Sequence, residues 1–240
     1  MSFQSEVKSW LSPTRTGGQL ALAMVVVTVL GEISPPIGAN VVLQPHAVLG
    51  SLKLWQVVTW LFVMPASPLS IIFGILIAIQ TGSFLEERLG RRKLWAAILG
   101  GGVVTALLTI AVSLLSPTVS MLPFEGAWTV LTCMWVMQGL IVGNGRLNFW
   151  SLPVSGYAFA VIGAVFSLWP LLRGLWEVVI PTLIALSLTL AWFFGLTPAN
   201  AWLRFRSWQL SRQLSRRSGH LKVVSGDKRN MPNDSDRFLH

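Results

Sequence analysis

Charge is scarce in this chain, and side chains fit for chemistry are scarcer. Only 11% of its 240 residues are Asp, Glu, Lys or Arg, and it has one cysteine, Cys133, and three histidines. A single cysteine excludes an intramolecular disulfide and any cysteine-based metal site. His46, His220 and His240 all fall outside the long apolar runs, so no imidazole stands inside them to serve as a general base. No lysine lies within such a run either, which removes a serine–lysine pair. No His/Asp/Glu cluster has the spacing of metal ligands, and neither a metal nor a cofactor is expected.

What is abundant is apolar. The chain is 53% hydrophobic, with 12 tryptophans and a mean hydropathy of +0.64. A globule of this length cannot hide that much apolar surface, so the bilayer has to act as solvent. A membrane span needs about 20 mostly apolar residues, and six runs qualify, near 17–34, 68–86, 94–115, 126–144, 153–172 and 177–197. The runs are continuous rather than alternating, which favours helices over a barrel. The expectation is an all-α integral membrane protein: residues 1–16 as an N-terminus, 17–198 as a six-helix domain and 199–240 as a basic tail. The first run lacks a small-residue cleavage site and is read as a retained helix.

Charge orients the spans. One side collects Lys8, Arg15, Arg88, Arg91, Arg92, Lys93, Arg146 and the tail, whereas the other has only Lys53 and Arg173, with Glu125 and Glu177 nearby. Basic loops stay cytoplasmic, so both termini are expected inside. The connection between the first two spans is then a long extracytoplasmic loop of about 33 residues. Its prolines and glycines argue against another long helix. Its Leu54, Trp55, Trp60, Leu61 and Phe62 are too apolar for an ordinary loop, which leaves a packed or re-entrant segment and a partner-binding segment both open.

Specific motifs follow. "WQVVTWLFVM" precedes a helix ending "GSFLEERLGRRKLW", which spaces Gly82, Glu86 and Gly90 four residues apart. This resembles the rhomboid superfamily, whose second helix ends in G-x-x-x-E-x-x-x-G before a basic turn. Trp55-Gln56 falls where that family often has Trp-Arg, and Gly126-Ala127 opens the fourth span where the family has Gly-x-Ser-Gly. The resemblance implies a rhomboid-like six-helix bundle over about residues 17–197. It also implies intramembrane proteolysis, by a serine on the fourth helix and a histidine on the sixth.

Position by position, the chemistry is missing. The nucleophile position falls on Trp128, and the sixth-helix Ala-His-x-x-Gly, set on "AWFFG", turns the base into Trp192. The second-helix His-x-x-x-Asn gives Ser70 and Gly74. The implied protein is a non-proteolytic pseudoprotease, not an enzyme; Trp128 and Trp192 either face each other and fill the old cleft or are interfacial tryptophans facing lipid. Ser155, in "VSGYA", falls at the other end of the bundle, where helix capping or packing is expected. Gly139 and Gly143, and Gly100 to Gly102, read as close helix contacts within the bundle. Glu86 reads as a loop anchor beside Arg88, Arg91 and Arg92.

The run after the fourth span, with Arg146, Asn148, Phe149 and Trp150, resembles derlins, the non-proteolytic rhomboid relatives. That likeness implies binding of membrane proteins or transmembrane clients in membrane protein quality control. It also implies a cytosolic or membrane-bound AAA unfoldase or protease as partner. In the tail, Arg204, Arg206, Trp208, Arg212, Arg216 and Arg217 suit anionic lipids or a docking partner. Nucleic acid is not expected, because a basic tail beside a membrane already has its polyanion. A permanent accessory subunit of a larger complex is the alternative reading; a transporter or channel fits worse, since the spans lack ionisable residues. The bacterial inner membrane is the expected location, with the endoplasmic reticulum as alternative.

Overall fold

The computed structural model describes residues 15–149, 152–195 and 206. The chain divides into two compact units, Met1–Phe194 and Gly195–His240. Of the second, Gly195 and the helical, exposed Arg206 are described. Arg204, Trp208, Arg212, Arg216 and Arg217 lie outside the described residues, as does Trp150.

The first unit contains six apolar helices: α1 (Thr16–Ile33), α2 (Pro68–Leu89), α3 (Arg91–Ser113), α4 (Ala127–Val142), α5 (Gly156–Ser167) and α6 (Trp176–Phe193). A 3-10 turn, Trp169–Arg173, prolongs α5, and with it five of the six are long and apolar enough to cross a membrane. The exception is α4, whose 16 residues rise only about 24 Å against a hydrocarbon core of roughly 30 Å. It is also the most enclosed helix, with 11 buried positions, and it packs on α2, α5 and α6 while α1 packs on α2 and α3 on α6. The integral membrane helical bundle expected from the sequence is therefore present, around a short central helix.

Local chemistry sets the helix ends. Ser67 caps α2 by accepting the Ser70 N–H at 3.1 Å, with Pro68 at the first helical position. Ser155 caps α5 by accepting from Ala158 N–H, the capping role expected of it. Gly143, at φ 59°, closes α4.

The G-x-x-x-E-x-x-x-G run explains how the first three helices meet. A Cβ on Gly82 would come within 2.5 Å of Gly17 Cα, so only glycine lets the α1 and α2 backbones touch there. Where no hydrophobic force drives helices together, such close approach is a main source of packing energy. One turn on, Glu86 Oε2 accepts the Thr16 N–H at 2.7 Å. A carboxylate thus holds a first-turn donor of α1, where the helix dipole favours negative charge. Arg15 pairs with Glu87 at 2.9 Å and Arg91 donates to Gln19 at 2.9 Å. Gly90, at φ 82°, is the single residue between α2 and α3. Each glycine and acid of the run thus has a separate mechanical task, and Glu86 anchors the first turn of α1 rather than a loop beside the arginines. These contacts place Arg15, Glu86, Arg91 and their neighbours at one end of the bundle, called here the basic end.

At the other end the first loop folds into short pieces, Pro35–Val41, Pro45–Ser51, Gln56–Thr59 and a 3-10 turn Trp60–Phe62. It is packed into the bundle rather than draped over it: Leu43, Gln56, Trp60, Leu61 and Met64 are all at most 1% exposed. Gln56 braces the loop, accepting the Gln44 N–H at 3.1 Å and donating to Ala39 O at 3.4 Å. Beside it Trp55 donates its indole N–H to Asn40 O at 3.0 Å.

Two expectations need correction. Between α4 and α5 the chain makes an antiparallel hairpin, Arg146–Phe149 with Leu152–Ser155, in the register Arg146↔Ser155. Strands of four residues that include Pro153 are too short to show a two-residue period. Of the three glycines in α3, only Gly102 makes an internal contact, under Leu61; Gly100 and Gly101 face open space. Gly139 does pack within the bundle, where a Cβ would meet Gly156 O and Ala160.

Gly82→Leu is expected to prevent α1 and α2 from docking. Glu86→Gln, which keeps the shape and loses the charge, should lower the detergent-solubilised unfolding midpoint, the lost charged hydrogen bond being worth about 1.5–3 kcal/mol. An unchanged midpoint for both variants would contradict the clamp.

Candidate functional site at the start of the fourth helix

The first turn of α4 begins within the protein, and its backbone donors need partners. The first loop supplies them: Gly126 N–H donates to Trp60 O at 2.8 Å and Ala127 N–H to Val63 O at 3.1 Å. Gly126 has to be glycine, because a Cβ there would lie 2.4 Å from Trp60 Cε3. An antiparallel bridge between Leu43 and Phe124 ties the approach to α4 to the same loop. Met64 N–H donates to Thr28 Oγ1 at 3.0 Å on α1, so the loop links α1 to α4.

Ser70 and Gly74 are accounted for by the same packing. Ser70 Oγ pairs with Ser67 Oγ at 2.7 Å as part of the α2 cap. Gly74 opens a space that Met64 fills, a Cβ there falling 2.5 Å from its Sδ, with Leu131 next to it.

The two tryptophans do not meet. Trp128 is half-buried and turns toward α5, its ring centroid 6.4 Å from that of Phe166. Trp192 is 44% exposed in the last turn of α6, at the far end of the bundle. The side chain that reaches α6 from the first turn of α4 is the next one. Thr129 Oγ1 lies 3.0 Å from Thr182 Oγ1. Trp192 is ten residues beyond Thr182 on the same helix, about 15 Å along the axis. The correction has a simple cause: α4 and α6 run in the same direction, so the partner of the start of α4 lies near the start of α6. At this level α6 presents Thr182, not Trp192. Counting spans from the same membrane face was the signal that could have found it.

A match to the family model decides what this scaffold is: the Rhomboid domain model matches residues 51–209. The chain belongs to the rhomboid family. No curated protein matches it. In this rhomboid-family chain the fourth and sixth helices are joined by two threonine hydroxyls. The described histidine, His46, is exposed and directs Nδ1 to Ser120 O at 3.2 Å. The serines that line α3 and α6 point back into their own helices, Ser113 to Ile110 O and Ser187 to Leu183 O. No group of three or more possible metal ligands occurs among the described residues.

Next to the site, Glu125 keeps solvent contact, yet partial burial first and the Glu32 carboxylate second raise its carboxyl above the ordinary range. A raised acid favours the protonated fold. That contribution is present below the unfolded value of 4.5 and is lost as pH rises through the folded value. Glu125→Gln should therefore raise the unfolding midpoint at neutral pH and leave it unchanged near pH 4, measured by thermal unfolding at both values. For the hydroxyl pair, a double-mutant cycle of Thr129→Val and Thr182→Val should give a coupling of about 0.6 kcal/mol, the usual size for an interhelical hydrogen bond in a membrane bundle.

Proposed function

We propose that this protein is a non-proteolytic rhomboid, a pseudoprotease that binds other membrane proteins or transmembrane segments as an adaptor in membrane protein quality control. The observation that carries this reading is the Thr129–Thr182 hydrogen bond, which joins the fourth and sixth helices one residue past Trp128, the position the resemblance gives the nucleophile. An alcohol does not act as a general base at neutral pH, and a hydroxyl without a base is a poor nucleophile. Met64 under Gly74 and Trp60 on Gly126 support the same reading, because they fill the region with apolar side chains. Both termini face the cytoplasm in this proposal, following the basic-side asymmetry, and the protein resides in a bacterial inner membrane. The stretch Arg146–Phe149 keeps its derlin likeness, so a cytosolic or membrane-bound AAA unfoldase or protease is the proposed recipient of clients. The basic tail is proposed to hold anionic lipid at that face.

Reconstitution with a reporter transmembrane substrate tests the central claim, with an active rhomboid protease in parallel vesicles as control. No cleavage and no labelling by a serine-directed fluorophosphonate are expected. Cleavage that disappears in Ser70→Ala or His46→Ala would overturn the proposal. Pull-down in mild detergent then separates two binding roles. A heterogeneous set of membrane proteins supports the adaptor, and one stoichiometric partner indicates a permanent accessory subunit.

A further inference from the structure

A cavity of about 580 Å³ is bounded by α3, α4 and α6, with Leu85 and Leu89 of α2 and Trp60 and Leu61 of the first loop also in its wall. It is separate from the Met64-filled region under Gly74. Its α3 wall is Ala96, Ala97, Gly100 and Gly101, all exposed, and a Cβ on either glycine would touch nothing. These small residues are therefore not used to pack the protein against itself. The α6 wall ends at Trp192, whose half-exposed ring is explained by this position better than by the lost dyad.

The chemistry of the lining restricts the occupant. Its hydroxyls are already committed: Thr105 donates to Gly101 O at 2.8 Å, Thr189 to Ala185 O at 2.8 Å, and Thr129 pairs with Thr182. With these satisfied, the walls are mainly apolar and offer chiefly dispersion contacts, so a strongly polar ligand would be desolvated with little return. The charged member of the lining is Lys93, exposed at the basic end, with no ion-pair partner among the described residues. The wall runs from Lys93 to Thr105 on α3, about 18 Å of helix. A flexible hydrocarbon chain can follow that length along the small residues of α3.

We infer that this cavity is a binding site for an anionic phospholipid of the leaflet at the basic end, its acyl chain lying along Gly100 and Gly101 and its headgroup phosphate paired with Lys93. A compact ammonium on a flexible stem suits a lipid phosphate, and the chain end reaches toward Trp60 and Leu61. The site is distinct from the basic tail and does not depend on whether the protein cuts.

Photocrosslinking in vesicles of phosphatidylcholine and phosphatidylglycerol tests it. Each lipid is supplied in turn with a diazirine near the chain end, and adducts are mapped by peptide mass spectrometry. The phosphatidylglycerol probe should label residues within 94–105 and 185–192 in preference to the lipid-facing side of α1. Gly100→Leu and Gly101→Leu fill open space, so they should keep the unfolding midpoint and cut that labelling severalfold. Lys93→Gln, at an exposed position, should leave chain labelling in place and lower the preference for the anionic probe about fivefold, as expected for one surface charge. Labelling spread evenly over all outward helix faces and indifferent to the leucines would overturn the site. So would leucine variants that keep lipid labelling but lose a copurifying membrane protein, which would make the cavity a helix-docking groove. Equal preference for the two lipids in the unsubstituted protein would remove the role of Lys93.

Discussion

Two hydrogen bonds, from Gly126 N–H to Trp60 O and from Ala127 N–H to Val63 O, set the terms for the rest of this bundle. In hydrocarbon every backbone donor has to be satisfied within the protein. A helix of only 16 residues is too short to carry its own first turn to the membrane surface. The first loop therefore has to come down to α4, and it needs apolar side chains to do so. Trp60, Leu61 and Met64, all buried, are that apolar content, and Gly126 and Gly74 are the spaces they need. The loop's composition, odd for a solvated connection, follows from the short central helix.

The opposite end is built on a different principle. There the chain uses charge and close backbone approach rather than apolar filling. Glu86 holds a first-turn donor of α1, Arg15 pairs with Glu87, and Gly82 admits Gly17. Carboxylates near a water interface can be partnered without the full cost of burial, so the ionic clamp belongs at this end. Between the two ends α3 packs on α6, on α2 and on the first loop, where Leu61 sits on Gly102. That leaves its small-residue face, Gly100 and Gly101, free of the protein's own side chains.

Legibility in the sequence followed the strength of each physical signal. Apolar runs of 18 residues or more have few alternative explanations, so the helices lay within a few residues of their expected limits. The G-x-x-x-E-x-x-x-G run was legible because each member has a backbone or charge task that other residues perform badly. The hairpin at Arg146–Phe149 and Leu152–Ser155 left no such trace, because four-residue strands cannot show a period. Trp128 and Trp192 misled for another reason. A short motif such as "AWFFG" can be set on a family pattern without regard to depth in the membrane, and depth is what decides contact. Thr129 and Thr182 were inconspicuous, since threonine in an apolar helix usually bonds its own backbone, as Thr105 and Thr189 do here.

That habit gives the threonine pair its meaning. A threonine bonded to its own carbonyl gains nothing from its neighbour helix, whereas Thr129 and Thr182 spend their hydroxyls on each other. The bond joins α4 to α6 at the level where the Trp60 and Met64 packing joins α4 to α1 and α2. Here that level is packed from one side by the first loop and pinned from the other by a neutral hydrogen bond. The side chains that fill the start of α4 are thus the same ones that fix the helices around it. Packing is lightest on α3 at Gly100 and Gly101, where an added Cβ would meet nothing.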